Sequence, residues 1–148
     1  MIKRKGGFLI SKIHQVSGRI FNRILQEEGI NGINSAQGRI LFALWEQDGI
    51  PITALSKKTM LERSTLTGML DRLERDSFIC RKPSPDDRRV LLIHRTDKDR
   101  DLERKYKQIS ENMCDLFYKG MSKDEINLFE ANLEHILDNC IEEETRNG

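Results

Sequence analysis

The sequence predicts a mainly α-helical fold carrying one small β-hairpin, and three stretches of the chain predict it. Residues 63–75 place Leu66, Met69, Leu70 and Leu73 at helical spacing, the signature of an amphipathic helix. Two short β-prone runs follow, Phe78 to Lys82 and Val90 to His94, separated by the charged, turn-forming tip Pro83-Ser84-Pro85-Asp86-Asp87-Arg88-Arg89. Long amphipathic patterns precede and follow this block. Helix, strand, charged hairpin tip and strand in that order make a winged helix. The fold class is therefore mainly α with a small β-wing: a winged helix-turn-helix core plus long N- and C-terminal helices.

The polar side of the 63–75 helix carries Arg63, Ser64, Thr65, Thr67, Gly68, Arg72 and Arg75. Small hydroxyls and a glycine permit close approach, and long cations reach phosphates or guanine edges, so this face suits a DNA major groove. Asp87, Arg88 and Arg89 at the wing tip complete the candidate DNA-binding set.

These residues also carry a resemblance to the MarR-type transcriptional regulators. The matching positions are Arg63-Ser64-Thr65-Leu66-Thr67, the passage from Leu73 to Arg81, and Asp87-Arg88-Arg89 with Thr96 nine residues after the aspartate. The flanking helices fall where that family's do, so the resemblance covers nearly the whole chain. Two positions depart from it. Ser77 stands where the family usually has the glycine ending the recognition helix, and Met60 where a turn glycine is common. Glycine alone takes φ > 0 at little cost, so both turns are less certain.

The resemblance implies a single domain over 1–148, with a DNA-binding lobe at about 34–96 and dimerisation helices at about 8–30 and 96–144. It implies a homodimer on a palindromic stretch of double-stranded DNA, acting as a ligand-responsive repressor more than as an activator. It also implies a pocket for a small effector, often aromatic or anionic, where the dimerisation helices meet the DNA-binding lobe. Ile13, His14, Ser17, Arg39 and Trp45 are the candidate lining residues.

A length of 148 residues suits one domain with a real core. The net charge of +1 says nothing about nucleic acid, but its distribution does. Residues 57–95 hold ten basic and six acidic groups, a net of +4, whereas residues 122–148 hold two basic and eight acidic groups, a net of −6. Such a chain can present one positive face to phosphates. No run of eighteen apolar residues exists, and the start Met1-Ile2-Lys3-Arg4-Lys5 lacks the apolar core of a signal peptide. A cytoplasmic protein without a membrane partner is expected.

In chain order, the first helix should run from about Phe8 to Glu28, with Leu9, Ile13, Val16, Ile20 and Ile24 in one stripe and Gly29 as its stop. That stripe exceeds what one neighbour needs, and part of it should meet a second subunit. Asn34 and Gln37 form a capping box for a second helix reaching about Gln47, with Ile40, Leu41, Leu44 and Trp45 facing inward. Gly49-Ile50-Pro51 breaks it, and Pro51 opens a short third helix, Ile52 to Lys58, anchored by Leu55. Thr96 caps a fifth helix whose first turn gathers Asp97, Asp99 and Asp101, where negative charge favours the helix dipole. Ser122 and Glu125 form a second capping box, opening a sixth helix lined by Ile126, Phe129, Leu133, Ile136, Leu137 and Cys140.

Cys80, Cys114 and Cys140 are widely spaced and odd in number, which implies neither a disulfide framework nor a zinc site; each reads as a small buried hydrophobe. His14, His94 and His135 are scattered, no metal or cofactor is expected, and no P-loop, GxGxxG, HExxH or nucleophile elbow marks an enzyme. Two competing readings stay open. One is a winged-helix module that pairs with proteins and lacks specific DNA binding; the other is a cysteine-based redox-sensing regulator. The first predicts an acidic or apolar recognition face, which Arg63, Arg72, Arg75, Arg88 and Arg89 oppose.

Overall fold

The structure, a computed structural model, describes residues 3–148; Met1 and Ile2 lie outside the described residues. Its elements are α1 (Gly6–Glu27), α2 (Ser35–Glu46), β1 (Ile50–Pro51), α3 (Ile52–Thr59), α4 (Arg63–Arg75), β2 (Ile79–Pro83), β3 (Leu91–Arg95), α5 (Asp97–Phe117) and α6 (Lys123–Asn147). They fall into two compact units, one reaching Ser110 and the other comprising Glu111–Gly148. No helix among the described residues is long and apolar enough to cross a membrane.

The core of the first unit lies between α2, α3 and α4. Ile40, Leu41, Leu44, Leu55, Leu66, Leu70 and Leu73 are fully buried there, and Ile79 and Ile93 close it from the sheet. The sheet is antiparallel with order β1-β3-β2; Cys80 pairs with His94, and Arg81 with Ile93. The break expected at Gly49-Ile50-Pro51 is more than a break. Ile50 and Pro51 pair with Ile93 and Leu92, so the wing is the outer hairpin of a three-stranded sheet. A two-residue strand is too short for any periodicity to reveal. Pro51 sits at the N-cap of α3 and not inside its first turn, with φ −71° and ψ 160°.

Both capping boxes form. Asn34 accepts from the Gln37 backbone N–H at 2.8 Å while the Gln37 side chain accepts from Asn34 N–H at 3.0 Å. Ser122 and Glu125 repeat the arrangement at 3.2 and 3.0 Å, and these bonds hold Glu125 below the ordinary range of a glutamate.

The α1 stripe is largely uncovered, in keeping with its excess of apolar surface: Leu25 is the buried residue of the helix, while Leu9, Ile13 and Val16 are exposed. Three sequence readings need correction. Trp45 is half-buried and not fully inward. Cys114 and Cys140 are exposed and Cys80 is half-buried, so none is a fully buried hydrophobe; α6, which carries Cys140, buries no residue in this chain. Asp99 does not serve the α5 dipole from the surface. It is 0% exposed and joins a buried polar cluster, because the sheet brings Arg95 onto it.

Met60 and Ser77, the two positions without the family's glycine, both adopt the left-handed conformation, with φ of 59° and 66°. Thr96 secures the second of these turns. Its hydroxyl donates to the Ser77 carbonyl at 2.6 Å and accepts from the Asp99 N–H at 3.3 Å, tying the exit of α4 to the start of α5. Lys98 Nζ adds a bond to the Asp76 carbonyl at 2.7 Å. A left-handed non-glycine residue costs about 1–2 kcal/mol, and glycine loses roughly 0.5–1 kcal/mol more chain entropy on folding. Met60 is 55% exposed, so little burial is lost with its side chain. Met60→Gly and Ser77→Gly should each therefore raise stability by a few tenths to about 1 kcal/mol, measured by urea denaturation. Lower midpoints for both variants would contradict the assignment of strain to these turns.

Candidate nucleic-acid interface

Burial sets the azimuth of α4. Leu66, Leu70 and Leu73 are fully enclosed, which turns Arg63, Ser64, Thr65, Thr67, Gly68, Arg72 and Arg75 outward, and all seven are exposed. Gly68 is not a packing requirement, since an added Cβ would meet nothing within 4 Å. Its effect is to leave the middle of the outward face without a side chain, where another surface can approach the helix backbone. Thr67 Oγ1 donates to the Arg63 carbonyl at 2.8 Å, leaving its oxygen lone pairs directed away from the helix to accept.

Asp71 also lies exposed on this helix, where a carboxylate would repel phosphate. Arg81 of β2 answers it: Nη2 donates to Asp71 at 2.5 Å, and the Arg81 backbone N–H donates to Glu74 at 3.1 Å. Among the described residues, Arg81 Nε is the buried side-chain atom left without a hydrogen bond; it stands 3.8 Å from Glu74. Charge counting along the sequence gives the basic excess but not which acids are neutralised. The pairing needs the register of β2 against α4, a tertiary fact.

At the wing tip, Arg89 and Asp87 form a two-pronged contact. Arg89 Nε lies 3.1 Å from one carboxylate oxygen and Nη2 lies 3.2 Å from the other, while the Arg89 backbone N–H donates at 3.1 Å. The side-chain bond and then the backbone bond hold the Asp87 carboxyl below its ordinary range. The Arg89 side chain stays 91% exposed, so it is oriented without being covered. Ser84 N–H donates to the Val90 carbonyl at 2.8 Å and closes the tip. Arg88 is exposed beside it.

The wing is anchored from behind by the cluster that the sequence did not reveal. Arg95 ends β3, and its guanidinium donates to Asp99 and to Glu103, each at 2.6 Å. Trp45 Nε1 donates to Asp99 at 2.9 Å, and Lys107 donates to Glu103 at 2.8 Å. Burial alone would lower the Arg95 pKa, but the bonds and charges of Asp99 and Glu103 outweigh it and raise the value. An (i, i+4) spacing from Arg95 to Asp99 across a strand–helix junction was the available signal.

Of the five residues expected to line an effector pocket, Ile13 and His14 are exposed on α1, with Ser17 half-buried one turn on and its Oγ donating to the Ile13 carbonyl at 2.6 Å. Arg39 is exposed on α2, and Trp45 is bound to Asp99. None of the five lines either of two clefts in the first unit. One, of about 330 Å³, lies where Ile52, Leu70 and Leu91 meet Arg63, Arg81 and Arg89. The other, of about 880 Å³, lies between α1 and the C-terminal half of α4.

Comparison with known proteins agrees with this architecture. Residues 33–91 match the family model described as the MarR family. The chain is 28% identical over 121 residues to the HTH-type transcriptional regulator TtmR of Methylorubrum extorquens, covering 82% of this chain and 60% of TtmR, so it spans less than two thirds of that relative. A mutant MarR of E. coli complexed with operator DNA superposes with a TM-score of 0.80 at 26% identity, covering 88% of this chain and 92% of that one. FabT of Streptococcus pneumoniae in complex with DNA gives a TM-score of 0.76 at 26% identity, covering 95% and 97%. With helix, left-handed turn, hairpin and flanking helices all in family order, residues 33–91 carry the MarR-family pattern and the chain has the winged-helix fold of the MarR-type structures it resembles.

Proposed function

We propose that this chain is a homodimeric, ligand-responsive transcriptional repressor that reads a palindromic stretch of double-stranded DNA. The observation that carries the reading is the outward face of α4: small, unpacked, cationic at both ends, and flanked by a wing arginine already aimed by a carboxylate. Two solved structures similar to it at 26% identity are complexes with DNA, which supports the same use of this face. In this reading α4 enters the major groove, with Ser64, Thr65 and Thr67 at base edges and Arg63, Arg72 and Arg75 at guanines or phosphates. The wing places Arg88 and Arg89 at the flanking minor groove, where narrow A·T-rich stretches concentrate negative potential.

Support for the dimer comes from apolar surface without cover in a single chain. Phe8, Leu9, Ile10, Ile13 and Val16 are exposed on α1, and Leu128, Ile136 and Leu137 on α6. A two-fold pairing of like surfaces is the ordinary way to bury such faces. The α1 and α5–α6 helices then serve dimerisation, and 34–96 serves DNA.

The wing supplies a test in which two accounts differ in sign. Arg89→Ala should weaken operator binding by about 1–3 kcal/mol, the scale of a good base contact, while leaving fold and dimer intact. Asp87→Ala should reproduce part of that loss, because the freed guanidinium is no longer oriented. If the wing acted by charge alone, removing the acid would tighten phosphate binding. Fluorescence anisotropy of both variants at one fixed salt concentration separates the two accounts: tighter binding by Asp87→Ala would overturn the oriented wing.

A further inference from the structure

One acid stands at the centre of the outward face of α4. Ser64, Gly68, Asp71 and Arg75 follow one another at steps of four, three and four residues, which places them in a single line along the helix. All are exposed, and the line lies opposite the buried Leu66, Leu70 and Leu73. The hydroxyls and cations around it suit DNA, whereas an acid that meets a polyanion without a donor to bind repels it.

The structure holds this carboxylate in a particular way. Its cation is not Arg75, one turn along the same helix, but Arg81 of β2, whose Nη2 donates to Oδ1 at 2.5 Å. Arg81 is itself fixed: its backbone N–H donates to Glu74 at 3.1 Å, and its side chain is 23% exposed. Glu74, 3.8 Å from Arg81 Nε, lies off the central line. Asp71 stays 63% exposed in this contact. The pair therefore offsets the charge of Asp71 while Oδ2 receives no hydrogen bond from the described residues. The turn before it carries Gly68, where an added Cβ would meet nothing within 4 Å, so a base edge can reach the carboxylate.

The chemistry of the groove selects the partner. A carboxylate only accepts, and cytosine is the base whose major-groove edge offers an amine, N4, with no acceptor beside it. Adenine sets its N7 acceptor beside its amine, guanine presents N7 and O6, and thymine presents O4 and a methyl. We propose that Asp71 reads a cytosine N4 amine through Oδ2, and that Arg81 is the positioning residue that aims the carboxylate and offsets its charge. This rests on the DNA-reading function given above and adds the base read at one position.

The test compares operators selected from one random duplex pool by the full wild-type chain, Asp71→Ala and Asp71→Asn, since loss of so exposed a pair costs the fold little. The wild type should enrich a cytosine at one position of each half-site. Asp71→Ala should lose the preference there and keep the others. Asp71→Asn should move it toward adenine, whose N6 and N7 suit an amide. In anisotropy at one fixed salt concentration, exchanging that C·G pair for T·A should weaken the wild type about tenfold, or about 1.4 kcal/mol, and Asp71→Ala by less than about twofold. Arg81→Ala should flatten the same preference and Arg81→Lys should restore part of it, whereas a merely structural loss at the wing would alter the flanking positions instead. Three results would overturn the proposal. Asp71→Ala could select the wild-type operator with every preference intact. It could bind all sequences more tightly by one common factor, as removal of an acid near phosphates alone predicts. Or the position that depends on Asp71 could prefer a base other than cytosine. A wild type that enriches no sequence would remove the DNA-reading function and this proposal together; an enriched operator indifferent to Asp71 would remove this proposal only.

Discussion

Gly38→Ala should destabilise the chain by about 3 kcal/mol, the upper part of the usual range for overpacking. Gly38 lies in the first turns of α2, where α5 crosses so closely that an added Cβ would stand 1.6 Å from the Tyr106 hydroxyl oxygen and 2.3 Å from the ring carbon bearing it. The ring has nowhere simple to go. Tyr106 is 2% exposed, and its centroid lies 5.3 Å from Phe21, 5.6 Å from Phe42 and 5.5 Å from Trp45. Burial raises its phenol pKa as well, so ionisation offers no escape. Against this loss stands a gain of about 1 kcal/mol, because alanine is the better helix former. Sterics win. Denaturant titration of Gly38→Ala, Tyr106→Ala and the double variant checks the cause: the double variant should lose clearly less than the sum of the singles, since the shorter side chain at 106 removes the clash. Wild-type stability in Gly38→Ala would show that α2 and α5 are not held at this distance.

Asp99→Ala should cost about 3 kcal/mol, the low end for removing one partner of a buried ion pair. Asp99 is 0% and Arg95 9% exposed at the side chain, so Arg95 would keep its charge in a nearly closed site. Glu103, at 2.6 Å, remains to it, which is why the upper end is not expected. Trp45 Nε1 would lose its acceptor too. Asp99→Asn should lose less, because the amide oxygen can still accept from Trp45. The variants also differ in pH dependence. Burial raises the Asp99 carboxyl above its ordinary 3.8, against the opposing pull of Arg95 and Trp45. The folded chain therefore holds this proton more tightly than the unfolded chain, and stability from this site falls as pH rises from 3.8 through the folded value. Glu103 has the other sign. Lys107 and then Arg95 lower it from 4.5, so its contribution is present above that value and is lost as pH falls through the folded one. Asp99→Asn should remove the first limb and leave the second. An unchanged profile would mean that Asp99 does not titrate in the folded chain.

What the sequence revealed and what it hid divide along physical lines. The α4 pattern, both capping boxes and the wing tip depend on residues within a few positions of one another, and local spacing is enough to read them. The Asp87–Arg89 contact spans two residues and is legible for the same reason. Met60 and Ser77 read locally only as missing glycines; at Ser77 the left-handed turn is secured by Thr96 and Lys98 clamping the α4 exit, bonds that span about twenty residues. Asp99 looked like one more first-turn acid because nothing local distinguishes it from Asp97 or Asp101. Burial beneath Trp45, fifty-four residues away, does. Asp71 is one more acid in the charge count; that Arg81 neutralises it on the outward face depends on the register of β2 against α4. The exposed α1 and α6 stripes were legible as excess apolar surface, since periodicity reports a face whether or not the same chain covers it.

The central claim is that two copies of α4 and its wing read DNA together, and selection of duplexes from a random pool followed by footprinting tests it most directly. Two-fold pairing predicts an enriched inverted repeat whose half-site centres lie about one helical turn, 10–10.5 base pairs, apart, protected on both halves at once. Enrichment of a single asymmetric half-site protected equally well alone, or no enrichment above the starting pool, would contradict it.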